Sequence, residues 1–201
     1  MLRVGLTGGL ATGKSFVGET LRGLGCCVIK ADDLGHQVLM PGGEAYAAVV
    51  DEFGPAILNP DGSIDRRKLA AEVFDRPERL ETLNRLVHPP VRARGRRIAE
   101  EFWSKHPDGI VVNEAAILIE TGSYRDFDRL VVAACPESQQ VERAMHRDGI
   151  TREEAMARIR RQMPIEEKVK LADYVIDTSG SKEHTIEQTR EVYRQLRSLP
   201  A

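Results

Sequence analysis

Gly8, Gly9, Leu10, Ala11, Thr12, Gly13, Lys14 and Ser15 follow one another near the start of the chain. They match G-x-x-x-x-G-K-[ST] at every fixed position. A loop of this kind wraps a diphosphate with its backbone N–H groups, and Gly8 and Gly13 are expected to supply the unusual dihedrals. It opens into a predicted helix, whose free N–H groups and positive dipole end attract anions. Lys14 is placed to neutralise the β- and γ-phosphates, and Ser15 to offer a hydroxyl to Mg²⁺. A glycine turn with a surface lysine is the plain alternative. The position in a first strand-to-helix turn argues against it and for a bound nucleoside triphosphate.

Using that triphosphate requires a base or an orienting group near the γ-phosphate. Asp32 and Asp33 follow the second apolar run, and a carboxylate there is suited to accept a hydroxyl proton from an acceptor. One of the two is equally suited to cap a helix. Glu114 ends a later apolar run, a Walker-B-like position from which a carboxylate reaches Mg²⁺ through a bound water. A polar strand terminus explains it equally well. Residues 137–163 carry Arg143, Arg147, Arg152, Arg158, Arg160 and Arg161. Most of these suit a solvated helix face, but the density also suits a lid that covers phosphates.

The elements that must position these groups follow from hydrophobic spacing. Residues 2–6 (LRVGL), 26–30 (CCVIK), 110–113 (IVVN), 130–134 (LVVAA) and 174–177 (YVID) read as short buried strands. Residues 14–24 have helical spacing that stops at Gly25. The expected fold class is α/β: a P-loop NTPase fold whose five-stranded parallel sheet carries helices on both faces. Segments 1–32, 110–136 and 164–201 would form a nucleotide-binding core within one kinase domain. Residues 33–109 are far longer than a crossover needs and read as an inserted helical subdomain. It begins at the carboxyl end of a strand, where ligands of open α/β sheets bind. Within it, Asp75, Pro77 and Glu78 predict a helix start and Pro89 a helix stop. In the 137–163 lid, Gly149 breaks one helix, and Thr151 with Glu154 predicts a capping box for the next, through Arg161.

Bulk properties narrow the partners. The chain has 201 residues, 41% hydrophobic and 30% charged, with a formal net charge of −2. That is an ordinary globular composition, with no global pull towards nucleic acid or an anionic membrane. No apolar run approaches the ~20 residues of a membrane span, and the N-terminus lacks a signal-peptide pattern. Three cysteines, Cys26, Cys27 and Cys135, fit a reducing, cytoplasmic setting. Homo-oligomerisation is left open. Two function classes remain: a small-molecule kinase, and a GTPase-like switch or regulatory ATPase. Residues 32–35 (DDLG) match the D-x-x-G of GTPases, a weak signal. No [NT]-K-x-D for guanine recognition occurs, and the insert and lid suit a kinase that excludes water from two substrates.

Together, GLTGGLATGKS, VIKADDLGHQVL with PGG, FGPAIL, NPDGSIDRRKL, LNRLVHPPV, AAILIETG, QQVERAMHRDGITREEAMARIRRQ and KLADYVIDTSGS resemble the dephospho-CoA kinase family over nearly the whole chain. The resemblance implies ATP-dependent phosphorylation of the ribose 3′-hydroxyl of dephospho-CoA, giving coenzyme A and ADP. It implies Asp32 as catalytic base, with Asp33 on a variable position, and Lys14 and Arg147 at the transferring phosphate. Thr7, Gly8, Gly9, Ala11, Thr12, Gly13, Lys14, Ser15, Phe16 and Arg143 make up the implied ATP site, with Ser15 on Mg²⁺. Asp65, Arg66 and His88 fall in the implied CoA-binding region, with Asp32 and Glu114 completing the acceptor side. The loop after the last strand, residues 178–180, would lie near adenine. Several positions depart from the family pattern. Lys30 makes its D-A-D stretch K-A-D, Ala11 and Phe16 alter the phosphate loop, residues 116–120 (AILIE) replace its P-L-L-F-E, and Thr178 replaces its usual Asn. Side chains two apart on a strand share a face, so Lys30 is expected either to face Asp32 or, at a bent strand end, to be solvated.

Overall fold

The computed structural model describes residues 1–199; the last two residues of the expected 164–201 core segment lie outside it. The chain opens with β1 (Leu2–Gly8), α1 (Lys14–Gly23), β2 (Cys27–Lys30) and α2 (Ala31–Val38). It continues through α3 (Tyr46–Phe53), α4 (Arg66–Val73) and α5 (Pro77–Lys105) to β3 (Ile110–Glu114). After β4 (Arg129–Ala134) come α6 (Glu137–Asp148), α7 (Arg152–Ile159) and α8 (Ile165–Lys170), then β5 (Tyr174–Asp177) and α9 (Lys182–Arg197).

The five strands form one sheet in the order β2-β3-β1-β4-β5. The β1–β3, β1–β4 and β4–β5 pairings are parallel. Strands covered on both sides need apolar residues at successive positions, not at alternate ones. Val4, Leu6, Val112, Val131 and Ile176 are fully buried on one face with Val17 and Leu21 of α1 and Leu196 of α9. Each such side chain contributes ~1.5–3 kcal/mol on burial. α8 packs on β4. A β-carbon on Gly5 would meet Phe127, Leu118 and Leu130, so the 115–127 segment lies against β1 beside that residue. From β1 the chain goes to one side for β2 and β3 and to the other for β4 and β5. The carboxyl end of β1 is therefore a topological switch point, where open α/β sheets bind ligands.

The chain divides into two compact units, Lys30–Glu100 and the remainder, Met1–Ile29 with Glu101–Ala201. The Lys30–Glu100 unit has its own core, in which Val38, Val49, Phe53, Ile57 and Leu69 pack with Leu83, Leu86, Val87 and Val91.

Two expectations within that unit are corrected. Pro89 does not stop a helix: α5 runs 29 residues and contains both Pro89 and Pro90. The missing N–H groups leave the carbonyls of Arg85 and Leu86 without helical donors. Leu83, Leu86, Val87 and Val91 nevertheless carry one partly buried apolar stripe through the prolines, packed on the core of this unit, and that packing favours a continuous helix. Asp75 does not start α5. It stands at φ 54, in the left-handed region, and the first helical bond runs from the Leu80 N–H to the Arg76 carbonyl. Tertiary packing overrides local propensity at the two prolines.

Candidate functional site

Gly8 ends β1 and Gly13 caps α1 at φ 80, ψ 11. The first helical bonds of α1 run from the Phe16 and Val17 N–H groups to the Gly13 carbonyl. The N–H groups of Lys14 and Ser15 precede that ladder and point at whatever the loop encloses. Positive φ falls on Gly13 and on Ala11, at φ 54, but not on Gly8. The expectation that Gly8 supplies an unusual dihedral is thus corrected. Gly8 is extended strand, and a β-carbon there would stand 2.5 Å from the Ala133 carbonyl oxygen and 2.4 Å from Thr12 Oγ1. Its glycine is required by close approach, while Ala11 carries the left-handed turn at a cost of ~1–2 kcal/mol.

Residues 11–16 line a cleft of 790 Å³ whose opposite wall includes Arg143, His146, Arg147 and Lys182. Lys14, Arg143, Arg147 and Lys182 are cations, a set that suits a polyanion. The Phe16 ring lies on the same cleft, 6.0 Å from the Lys182 ammonium. Thr12 is buried and donates its hydroxyl to the Gly9 carbonyl. Thr7 is buried too and donates to the Ala116 carbonyl, so its side chain is committed beneath the loop.

Ser15 Oγ donates to Glu114 Oε1 at 2.7 Å, and Lys14 Nζ stands 3.9 Å from the same oxygen. Glu114 Oε2 is buried and has no hydrogen-bond partner. A buried carboxylate oxygen without a donor, beside a serine hydroxyl, is a hard oxygen set that fits Mg²⁺. Among the described residues, no three His, Cys, Asp or Glu side chains gather into a metal cage.

The arginines divide by partner. Arg143 donates through Nη2 to the Thr178 carbonyl at 2.7 Å, and Thr178 Oγ1 donates to the Thr12 carbonyl at 2.7 Å. Arg143 thereby joins α6, the loop after β5 and the phosphate loop. Thr178, where the resembling pattern has Asn, is buried and holds the loop through its hydroxyl. Arg147 forms a bidentate pair with Asp148, at 2.7 and 3.0 Å, which holds the guanidinium above its usual pKa. Arg158 donates to the same carboxylate at 3.2 Å. The capping box of Thr151 and Glu154 is formed, and α7 ends at Ile159, two residues short of the expected end.

Asp32, Asp65, Arg66 and His88 belong to the other unit. Asp32 is exposed in the first turn of α2, two residues past β2. Lys30 ends the strand and Asp32 lies on the helix. The shared-face expectation for this pair is corrected accordingly, since strand alternation stops at Lys30. Asp65 caps α4, accepting from the Arg67 and Lys68 N–H groups, which hold its carboxyl below the usual range. Arg66 is the exposed first residue of α4. His88 is half-buried on α5, and desolvation, helped by Arg92, lowers its pKa.

Sequence reasoning missed Lys168, Gln162 and Lys182. Gln162 Oε1 accepts from the Leu10 N–H at 2.9 Å, and Lys168 is fully buried. Only the i, i+3 spacing of Lys168 with apolar Ile165, also buried, hints at an inward face, because lysine defaults to the surface.

A family model for dephospho-CoA kinase matches residues 2–184. The chain belongs to the dephospho-CoA kinase family. A dephospho-CoA kinase of Carboxydothermus hydrogenoformans is 48% identical over 92% of this chain and 89% of its own. The fold agrees with a crystal structure of a Thermus thermophilus protein at 34% identity, TM-score 0.81, over 96% of both chains. A dephospho-CoA kinase from Campylobacter jejuni matches at 26% identity, TM-score 0.68, over 97% of this chain and 96% of that one. The fold is the P-loop kinase fold of the dephospho-CoA kinases.

Proposed function

We propose that this member of the dephospho-CoA kinase family transfers the γ-phosphoryl group of ATP to the ribose 3′-hydroxyl of dephospho-CoA, with Asp32 as the base. That the protein is an enzyme phosphorylating dephospho-CoA to coenzyme A follows from its family; the donor, the metal and the residue roles are the proposal. The observation that carries the donor reading is the cleft of residues 11–16, with Lys14, Arg143 and Arg147 on its walls. ATP docks with its phosphates on the N–H groups of the loop and of α1. Ser15 and Glu114 would hold Mg²⁺, which supplies charge compensation to the β- and γ-phosphates when bound.

On the acceptor side, the Lys30–Glu100 unit supplies the contacts to dephospho-CoA, with Asp65, Arg66 and His88 as candidates. Asp32 orients the 3′-hydroxyl and takes its proton as the oxygen attacks phosphorus in line and ADP leaves. Lys14 and Arg147 stabilise the negative charge on the transferring group. Arg147 reaches it by exchanging Asp148 for phosphate. Residues 137–163 serve as the lid, and the Lys30–Glu100 unit, which takes in most of the expected 33–109 insert, serves the acceptor. Three free thiols fit a reducing, cytoplasmic setting, and among the described residues no helix is long and apolar enough to cross a membrane.

The test compares Asp32→Asn and Asp33→Asn in a coupled ADP assay with dephospho-CoA. Asp32→Asn is expected to lose ~10²–10⁴-fold in kcat, the range for a general base, with Asp33→Asn near wild type. The reverse order would remove Asp32 from its role.

A further inference from the structure

Lys168 on α8 is wholly buried, the first-ranked in volume of the fully buried side chains among the described residues. Its ammonium has three protons and faces three oxygens: the Ala116 carbonyl at 2.8 Å, Glu120 Oε1 at 2.8 Å and the Gly8 carbonyl at 3.4 Å. Ala116 follows β3 by two residues, and its carbonyl also accepts from Thr7 Oγ1 at 3.2 Å. Glu120 Oε1 accepts in addition from the Met163 N–H at 3.0 Å. The neighbouring residue, Gln162, accepts from the Leu10 N–H at 2.9 Å.

These contacts close into a ring: Gly8 to Lys168, Lys168 to Glu120, Glu120 to Met163, Gln162 back to Leu10. The ring grips the phosphate loop on both sides of Gly9, by a carbonyl before it and an N–H after it. It also fixes the segment that follows α7. An apolar side chain would fill the volume of Lys168 without the desolvation cost of an ammonium. What the ammonium adds is direction, because it ties the Gly8 carbonyl to two oxygens of the segment that follows β3.

We propose that Lys168 is a positioning residue for the donor site, setting the phosphate loop through Gly8 and Leu10 with Glu120 as its relay. The proposal rests on reading residues 8–15 as the ATP site. Loop N–H groups stabilise phosphate only when held within ~0.5 Å of the productive geometry, and the ring is the support that holds this loop.

The test measures both Michaelis constants for full-length Lys168→Met, with kcat expressed per folded molecule. The variant is expected to raise the KM for ATP about tenfold and lower kcat at least tenfold, the scale of a misplaced reacting group. The KM for dephospho-CoA should stay within about twofold. Lost packing alone would lower the folded fraction and leave both constants unchanged, so a wild-type KM for ATP in Lys168→Met overturns the proposal. Should Lys168→Met not accumulate folded, Glu120→Gln decides instead. Its amide oxygen still accepts from the Met163 N–H, but the relay loses its charge. A rise of about three- to tenfold in the KM for ATP is expected, and an unchanged value overturns the proposal. Dephospho-CoA-dependent ADP release by the wild type checks the donor reading separately, so the two failures are distinguishable.

Discussion

The Ala133 carbonyl oxygen occupies the space that a β-carbon on Gly8 would need. Gly8→Ala must therefore push β1 from β4 and displace Thr12 as well, at a cost of ~1–3 kcal/mol for overpacking. The expected outcome is a lower thermal midpoint together with weaker ATP binding, measured by calorimetry on the same sample. An unchanged midpoint would show that the loop yields there. The residue types of this site were legible because the phosphate loop is a local motif, with spacing visible along the chain. The reason for Gly8 was not legible, since its neighbour Ala133 is brought close only by sheet pairing. Lys168 was hidden for the opposite reason. Lysine is so rarely buried that its spacing from Ile165 was too weak a local mark to outweigh that default. Glu114 stood between these cases: its place at the end of β3 was readable, but its hydrogen bond from Ser15 spans 99 residues.

Among the elements, the strands and the capping box were legible from apolar runs and from Thr151 with Glu154. Thr151→Ala removes the hydroxyl that accepts from the Glu154 N–H and should cost about 1 kcal/mol, the usual value of an N-cap. Chemical denaturation reads that loss directly, and an unchanged midpoint would mean that α7 does not depend on its cap. The course of α5 was not legible, because Pro89 and Pro90 speak locally for a stop while the core formed with α3 and α4 speaks for continuation. His88 on the same helix gives a pH signature. Burial lowers its pKa below 6.5 in the folded chain. As pH falls through 6.5, the unfolded imidazole binds its proton first, so His88 makes stability decline with acidification until the folded pKa is passed. His88→Gln should flatten the urea-midpoint curve between about pH 7.5 and 5.5, the window around an ordinary imidazole pKa. Parallel curves for variant and wild type would show that His88 contributes nothing to it.

At the scale of the whole molecule, the chain divides into two compact units, to which the proposal gives two tasks. The sheet-bearing unit holds the phosphate loop, Glu114, Arg143 and Arg147, which the proposal assigns to the donor. The Lys30–Glu100 unit holds Asp32, Asp65, Arg66 and His88, assigned to the acceptor. The fold class was legible as a whole, because five apolar runs separated by helical spacing admit few other arrangements. The division into units was legible only as a surplus of chain between the second and third strands. If the two-substrate account is right, ATP turnover depends on the acceptor. The most direct test incubates the protein with ATP and Mg²⁺, with and without dephospho-CoA, and follows ADP and the acceptor by phosphorus NMR. The account predicts ADP release only with dephospho-CoA, one ADP for each coenzyme A formed, and a new phosphate monoester on the ribose 3′-oxygen. ADP release at the same rate without the acceptor, or no phosphorylated acceptor, would contradict it.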